Sequence, residues 1–280
     1  MLFAFALVIG CFFLLPAQAK AATKTNTYKL DAKSGVLYES ALRISYGSPY
    51  TQYAEVYLPN EGDRITSVKT SKGLIAKVTY AYEISGDSNT LCYEYDGDLD
   101  YDKRLRFKGK QEISFFVTKP GTYTAKFTVK NAKGKKLCTK SIKVYAGNTS
   151  PFEYISYSGV KNYGNNIITK RASGKFKIKL NSDYKLKKLE IATSYDADGN
   201  LVYKTLKNGS KIKLAKKNQY RKSNYKSETG DPNDTNSYYY KYESYENNDF
   251  LKPVTYVRAT VYDKKLKTTE ERMIYVINVK

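Results

Sequence analysis

Four aspartates alternate along the acidic segment CYEYDGDLDYDKR, which begins at Cys92. They are Asp96, Asp98, Asp100 and Asp102. Carboxylates at this spacing can wrap a calcium ion when the backbone loops, as in the first part of an EF-hand loop. The bidentate acid that closes such a loop at its twelfth position is missing, because that position is Phe107. The segment therefore predicts either a calcium site or a solvated acidic loop on a basic protein.

A second segment, from Lys216 to Asp249, has almost no aliphatic residue and interleaves tyrosine with Lys, Arg, Asn and Ser. Tyrosine gives a rigid amphipathic face, and the amides and hydroxyls beside it give adaptable hydrogen bonds, as in antibody recognition loops. Such a surface could stack sugar rings or dock a protein. The predicted ligand-binding residues are Lys216, Lys217, Tyr220, Arg221, Tyr225, Tyr238, Tyr239, Tyr240, Tyr242 and Tyr245. The alternative is a mobile excursion between strands in which SYYYKYESY pairs as a plain edge strand.

Histidine and tryptophan are both absent from the sequence. Without histidine the chain lacks the usual base of a catalytic triad, the commonest zinc ligand and a switch that titrates near neutral pH. Two converging acids could still hydrolyse a glycoside, but small sandwiches filled by their own cores leave little scaffold for a deep cleft. We therefore expect no enzyme, no catalytic residue and no cofactor apart from the calcium alternative.

The charge is one-sided, with 48 Lys and Arg against 27 Asp and Glu and a formal net charge of +21. A positive surface attracts polyanions such as teichoic acids, acidic glycans, anionic membranes and nucleic acid. Alternatively, the lysines only keep an all-β protein soluble and protect its sheet edges. The expected partner is a cell-wall polymer, an acidic glycan or a host or surface protein. Nucleic acid is not expected, because the chain opens with a secretion signal.

That signal is the uncharged stretch MLFAFALVIGCFFLLPAQA, which ends in the small-x-small pattern Ala17-Gln18-Ala19. We predict a signal peptide at 1–19, a short linker at 20–27 and a secreted or cell-surface location. Val8-Ile9-Gly10-Cys11 resembles a lipobox, so a lipoprotein anchored at Cys11 stays open, as does an uncleaved anchor. No later apolar run approaches the ~18 residues that cross a bilayer, so no membrane-spanning segment is expected after the leader.

Period-two alternation dominates the remaining chain. In KFKIKL, for example, Phe176, Ile178 and Leu180 alternate with lysines, as a strand with one buried face requires. Turn clusters such as Asn208-Gly209 separate these runs, which is typical of a sandwich or barrel. A polar stretch near 147–150 divides the chain into domains at 28–147 and 150–280, the second with the insert 216–249. The fold class is predicted to be all-β, with two tandem antiparallel β-sandwich domains.

One pattern occurs twice, as KPGTYTAKFTVKNAKGKKL from Lys119 and as KPVTYVRATVYDKKLK from Lys252. Both copies predict a penultimate strand and its hairpin to the last strand. PGTYTAKFTV followed by LCTKSIKVYA resembles the last two strands of bacterial immunoglobulin-like and PKD-like surface modules, and RITSVKTSKGLIAKV is similar to an earlier strand pair in them. The resemblance implies tandem immunoglobulin-like sandwiches of an extracellular surface protein and says hardly anything about a ligand.

The second copy departs from the first in phase. Val257, Ala259 and Val261 follow Tyr256 where the first copy has the opposite alternation after Tyr123. Since a one-residue slip exchanges the faces of a strand, either Tyr256 packs differently or a bulge follows it. Both tyrosines begin a penultimate strand, where sandwich domains often bond a tyrosine hydroxyl back to the backbone, so we expect structural roles.

Two cysteines remain after the leader. Cys138 alternates with a mainly apolar set, whereas Cys92 is in phase with Glu94 and Asp96. Opposite facing argues against a disulfide, although a bulge could bring the two thiols together, so the pairing stays open.

Together these features favour a non-catalytic secreted or cell-surface protein that binds or adheres to an anionic or glycan surface ligand. Lysine would attract the ligand, and the tyrosine-rich insert would contact it. The alternatives are a structural spacer or stalk without a ligand of its own and, less favoured, an uncharacterised polysaccharide hydrolase.

Overall fold

A computed structural model describes residues 26–50, 52–83, 90–92, 105–196, 199–216, 220–229, 240–249 and 252–280. For the two strands within 220–249 it describes the backbone and its pairing. All regular elements in these ranges are β-strands. No helix among the described residues is long and apolar enough to cross a membrane. The predicted leader and most of the linker lie outside the described ranges.

The first sandwich is built from short strands whose apolar residues alternate with polar ones, so that one face of each sheet is buried. Its described strands are β1 (Tyr28–Leu30), β2 (Leu37–Glu39), β3 (Ala41–Ile44), β4 (Gln52–Leu58), β5 (Arg64–Thr70), β6 (Leu74–Glu83), β7 (Thr90–Cys92), β8 (Leu105–Phe107), β9 (Gly109–Val117), β10 (Gly121–Lys130) and β11 (Lys136–Ala146). One sheet has the order β1-β2-β4-β9-β6 and the other β3-β11-β10-β5, and β7 pairs with β8. Between the sheets, Val56 and Ile113 pack with Phe127 and Val144, all fully buried.

The second sandwich repeats this plan. Its described strands are β12 (Phe152–Tyr157), β13 (Val160–Asn162), β14 (Asn166–Thr169), β15 (Ser173–Leu180), β16 (Tyr184–Tyr195), β17 (Leu201–Thr205), β18 (Lys211–Lys213), β19 (Tyr220–Thr229), β20 (Tyr240–Asp249), β21 (Val254–Asp263) and β22 (Thr268–Asn278). The sheets have the orders β13-β12-β15-β18 and β14-β22-β21-β16-β17, and β19 pairs with β20 alone. The second sandwich has a separate hydrophobic core, in which Phe176 packs with Val257 and Ile274.

The topology of the two sandwiches matches at their last strands. In each, the last two strands form an antiparallel hairpin, β10–β11 and β21–β22. In each, a short early strand runs parallel to the last one, β3 beside β11 and β14 beside β22. The repeated Lys-Pro-x-Thr-Tyr segment therefore marks the same element twice, and the predicted all-β, two-sandwich fold class is confirmed.

The phase shift after Tyr256 is explained by packing, because β21 pairs with β22 without a register shift. Val257 faces the core of the sandwich, whereas Tyr256 belongs to a separate cluster with Ala192 and Val254. The Tyr256 hydroxyl accepts a hydrogen bond from Tyr195 at 3.0 Å. The first of the two predicted explanations, different packing of Tyr256, is therefore the correct one.

Tyr123 has the structural role that its position predicts. Its hydroxyl donates to the backbone carbonyl of Lys119 at 3.0 Å, which ties the start of β10 to the preceding turn. Cys138 is a buried free thiol on the core side of β11. The side chain of Cys92 is not among the side chains that the structure describes.

Candidate functional site

The tyrosine-rich insert contains a two-stranded hairpin. β19 and β20 pair in unbroken antiparallel register, from Tyr220 opposite Asp249 to Thr229 opposite Tyr240. The hairpin lies in the chain between β18 and β21, and in the described part of the insert it pairs with neither sandwich sheet. This differs from a plain edge strand, because both partners of the pairing come from within the insert.

The register distributes the predicted binding positions over the two faces of the hairpin. Since cross-strand partners share a face, Tyr225 opposite Ser244 lies on the same face as Arg221, Tyr240 and Tyr242. Tyr220 and Tyr245 lie on the other face. Lys216 is exposed just after β18. The remaining predicted residues of the insert, Lys217, Tyr238 and Tyr239, lie outside the described residues.

The aspartates of the predicted calcium site, Asp96, Asp98, Asp100 and Asp102, also lie outside the described residues, so that site stays a prediction. Within the described ranges, no three His, Cys, Asp or Glu side chains are grouped closely enough to hold a metal ion.

An ion-pair network joins the two sandwiches. Leu42 and Ile44 of β3 point into the first core, which leaves Arg43 on the outer side of the strand. There Arg43 binds Asp263 of β21 at two points: its Nε bonds Oδ2, and its Nη2 donates to Oδ1 at 2.9 Å. Its two terminal nitrogens also approach Asp183 Oδ2 at 3.3 Å. The guanidinium lies 4.7 Å from the ring centre of Tyr184.

Burial and pairing compete at this junction. The side chains of Arg43 and Asp263 are only 9% and 5% exposed. Burial opposes both charges, but their mutual hydrogen bonds outweigh it, so the pKa of Arg43 is raised and that of Asp263 is lowered. The backbone N–H groups of Lys265 and Leu266 also donate to Asp263 Oδ1, at 2.7 and 3.0 Å. The charged groups of Arg43 and Asp263 are therefore bonded to each other and to neighbouring backbone, and the pair serves as a joint between the two sandwiches.

A cavity of about 390 Å³ adjoins this joint and is lined by both sandwiches. Glu39 and Tyr53 come from the first, and Glu270 and Arg272 from the second. Arg272 Nη2 donates to Glu270 at 2.8 Å, while its buried Nε has no hydrogen-bond partner among the described residues. The cavity thus presents mixed charges and no dominant sign.

Glu39, at the edge of this cavity, accepts from the backbone N–H of Glu55 at 3.4 Å, and the pKa values of these two carboxyl groups are shifted in opposite directions. Burial raises the pKa of Glu39 to about 7. Burial opposes ionisation of Glu55 as well, but Lys110, Tyr28 and Tyr57 donate to it and lower its pKa. The hydroxyls of Tyr28 and Tyr57 lie 2.5 and 2.7 Å from Glu55 Oε2. Because these donors occupy the Glu55 carboxylate, it is held as a structural acceptor.

The sequence reasoning missed Arg43, Glu39 and an exposed apolar pair at the edge of the first sandwich. Ile75 of β6 lies opposite Phe116 of β9, and the two are 65% and 38% exposed. With Tyr50, which is 81% exposed, they line a shallow depression of about 280 Å³. Alternation within LIAKV and EISFFV places Ile75 and Phe116 on the face away from the core, and this pattern could have predicted the exposed apolar pair from the sequence.

No protein-family model matches the chain, and a search of curated proteins finds no relative. Among solved structures, the chain is similar to the fibronectin(III)-like modules of CbhA from Clostridium thermocellum, with 9% identity, TM-score 0.29 and coverage of 87% of this chain and 93% of that one. It is also similar to the C-terminal domain of the AgI/II polypeptide BspA from Streptococcus agalactiae, with 8% identity, TM-score 0.22 and coverage of 85% and 95%. A third similarity is to the adhesin InvE from Yersinia pseudotuberculosis, with 9% identity, TM-score 0.18 and coverage of 90% and 60%. With TM-scores below 0.5, these similarities carry no argument about the fold or the function of this chain.

Proposed function

We propose that this chain is a non-catalytic secreted or cell-surface protein that binds or adheres to an anionic or glycan ligand on a surface. In this proposal two immunoglobulin-like domains, at 28–147 and 150–280, carry the insert 216–249 as the contact element. The observation that supports it is the self-paired hairpin β19–β20, which the fold does not use in either sandwich sheet.

A self-paired hairpin suits recognition because its register fixes the spacing of its residues before a ligand arrives. Preorganisation of this kind lowers the entropic cost of binding. Arg221, Tyr225, Tyr240 and Tyr242 share one face, which combines a cation with aromatic residues. Tyrosine can stack on a sugar ring while its hydroxyl bonds a neighbouring group.

The two neighbouring carboxyl groups with oppositely shifted pKa values, Glu39 and Glu55, support a non-catalytic role, because Glu55 is engaged by structural donors. Glu55 is bound by Tyr28, Tyr57 and Lys110, so it is not free to attack a glycoside or activate water. Turnover of a polysaccharide that is lost in Glu39→Gln would contradict this part of the proposal.

The experiment is an array of glycans and wall polymers probed with the secreted chain at low and high salt. We expect retention on a defined class of anionic or sugar ligand, weaker at high ionic strength because the lysine-rich surface contributes by charge. The double substitution Tyr239→Ala and Tyr240→Ala should abolish retention. Retention that is unchanged in this variant would remove the insert from the binding site.

A second candidate function, a spacer or stalk without a ligand, is favoured by the joint at Arg43. A buried two-point ion pair between consecutive sandwiches restricts their relative movement, as a stalk requires. Absence of retention on every polymer of the array, with the joint intact, would favour the spacer over the binding protein.

A further inference from the structure

The outer face of the sheet β13-β12-β15-β18 carries a concentrated positive charge. In β15, Gly174, Phe176 and Ile178 are buried, whereas the lysines between and after them are exposed. In β18, Ile212 is buried between two exposed lysines. The exposed residues of the two strands are Lys175, Lys177, Lys179, Lys211 and Lys213, which we call the lysine row.

The strand register aligns these residues along a line. Lys175 lies directly opposite Lys211, and Ser173 lies opposite Lys213. Alternate residues of a strand are about 6.6 Å apart, so the row runs about 20 Å from Lys213 to Lys179. The turn before β18 secures the alignment, because the Asn208 side chain accepts from Ile178 N at 2.8 Å and donates to Ile178 O at 3.0 Å.

The charge of the row is not compensated by the described part of the protein. Among the described residues, only the last member of the row, Lys179, has an acidic partner within 4.0 Å, since its Nζ lies 2.8 Å from Glu153. On the other sheet of the same sandwich, two cations share one acid, since Glu190 bonds both Lys188 and Arg258, at 2.7 and 3.0 Å. Like charges placed directly opposite each other destabilise a sheet, so the Lys175–Lys211 pair costs stability unless an anion lies between them.

We propose that the lysine row binds a linear polyol phosphate, the phosphodiester chemistry of teichoic acids. Phosphates joined by a three-carbon unit are separated by six covalent bonds, and two residues of a strand also contain six backbone bonds. The extended repeats therefore match, and successive phosphates can meet successive lysines. An ammonium group suits such single-point contacts, whereas paired contacts to one phosphate favour arginine.

The shape and composition of the face favour a polyol phosphate over single-stranded nucleic acid and over an anionic membrane. Single-stranded nucleic acid has a similar repeat but gains affinity by stacking bases on exposed aromatic residues. Among the residues with described side chains, Tyr154 lies beside the row; it is half-buried, and Lys161 and Lys179 lie 4.7 and 5.8 Å from its ring centre. A line of lysines also fits a chain better than the two-dimensional charge of a membrane.

This inference rests on the proposed function for the expectation of an anionic surface ligand, but it places the contact on residues outside the insert. The experiment measures binding of the full chain to purified poly(glycerol phosphate) at several salt concentrations. Four lysines of the row are neutralised in the variant K175Q/K177Q/K211Q/K213Q. The matched control, K126Q/K133Q/K135Q/K136Q, removes four exposed charges from the first sandwich.

We expect the row variant to bind at least ~10-fold more weakly than the wild type. The slope of its plot of log affinity against log salt concentration should be shallower by about 3, because each lost phosphate contact reduces the slope by ~0.7. The control should keep most of the affinity. Equal loss in both variants would show attraction by net charge alone and overturn the proposal. Equally tight, row-dependent binding of single-stranded DNA, heparin or anionic vesicles would overturn the choice of ligand.

A thermal shift separates loss of binding from loss of folding. The polymer should raise the melting temperature of the wild type and of the control but not of the row variant, whose own melting temperature should equal or exceed that of the wild type. The Tyr240→Ala, Tyr242→Ala variant separates this inference from the proposed function. Polymer binding that disappears in that variant and persists in the row variant would support the insert and contradict the row.

Discussion

Arg43 and Asp263 are 220 residues apart in sequence and form a buried two-point ion pair that joins the two sandwiches. Arg43 belongs to the strand β3 that runs parallel to the last strand of its sandwich, and Asp263 ends β21 at the turn toward β22. The topology shared by the two sandwiches thus brings the edge of the first against a hairpin of the second.

Removing the acid of this pair should be strongly destabilising. In Asp263→Asn the buried Arg43 keeps its charge without its main partner, which typically costs ~3–5 kcal/mol. Urea denaturation followed by tyrosine fluorescence measures the change. Asp183→Asn is the matched control, because Asp183 is 40% exposed and its contact with Arg43 should contribute less than ~1 kcal/mol. Equal losses in the two variants would contradict the assigned roles.

The same pair predicts a loss of stability in acid. The pKa of Asp263 is lowered from its ordinary value of 3.8, so the carboxylate stabilises the fold above that pH. As the pH falls below 3.8 and through the lower pKa of the folded state, this stabilisation is lost. The wild type should therefore lose more free energy of unfolding between pH 5 and pH 2 than Asp263→Asn does. If the free energy of unfolding changed equally with pH in the two proteins, Asp263 would not contribute to the acid sensitivity of the fold.

Glu39 predicts the opposite pH dependence. Burial raises its pKa from 4.5 to about 7, so the folded chain keeps a proton that the unfolded chain releases between these values. Stability is consequently lost as the pH rises from 4.5 to 7. Glu39→Gln should stabilise the chain by roughly 1–3 kcal/mol at pH 8 and leave it nearly unchanged at pH 4. The exposed Glu61→Gln serves as control and should change the free energy of unfolding by less than ~0.5 kcal/mol at both pH values.

Tyr123→Phe tests the bond between a penultimate strand and the turn before it. The substitution removes the hydroxyl that donates to Lys119 O while keeping the ring, so we expect a loss of about 1 kcal/mol. Chemical denaturation measures it, and Tyr145→Phe on the neighbouring strand is the control for loss of a tyrosine hydroxyl. A Tyr123 variant as stable as the wild type would show that this bond contributes nothing net.

Local patterns predicted the fold well because the alternation of a strand records which face is buried. The repeated segments at Lys119 and Lys252 correctly predicted two equivalent hairpins, whereas the phase change after Tyr256 left different packing or a bulge open, and the structure shows different packing. The joint at Arg43 left no comparable trace, since its partners come from the other sandwich. The lysines of KFKIKL were visible as an exposed face, but their alignment with Lys211 depends on a strand pairing that follows a long connection.

The most direct test of the proposed binding function compares the wild type with a chain in which residues 220–249 are replaced by a short glycine-containing turn. Both are titrated against the best ligand of the polymer array at low salt. The account predicts that the replacement keeps the melting temperature, because the hairpin belongs to neither sandwich sheet, and that it loses at least ~10-fold in affinity, or about 1.4 kcal/mol. Full affinity in a folded replacement variant would contradict the assignment of the insert as the recognition element.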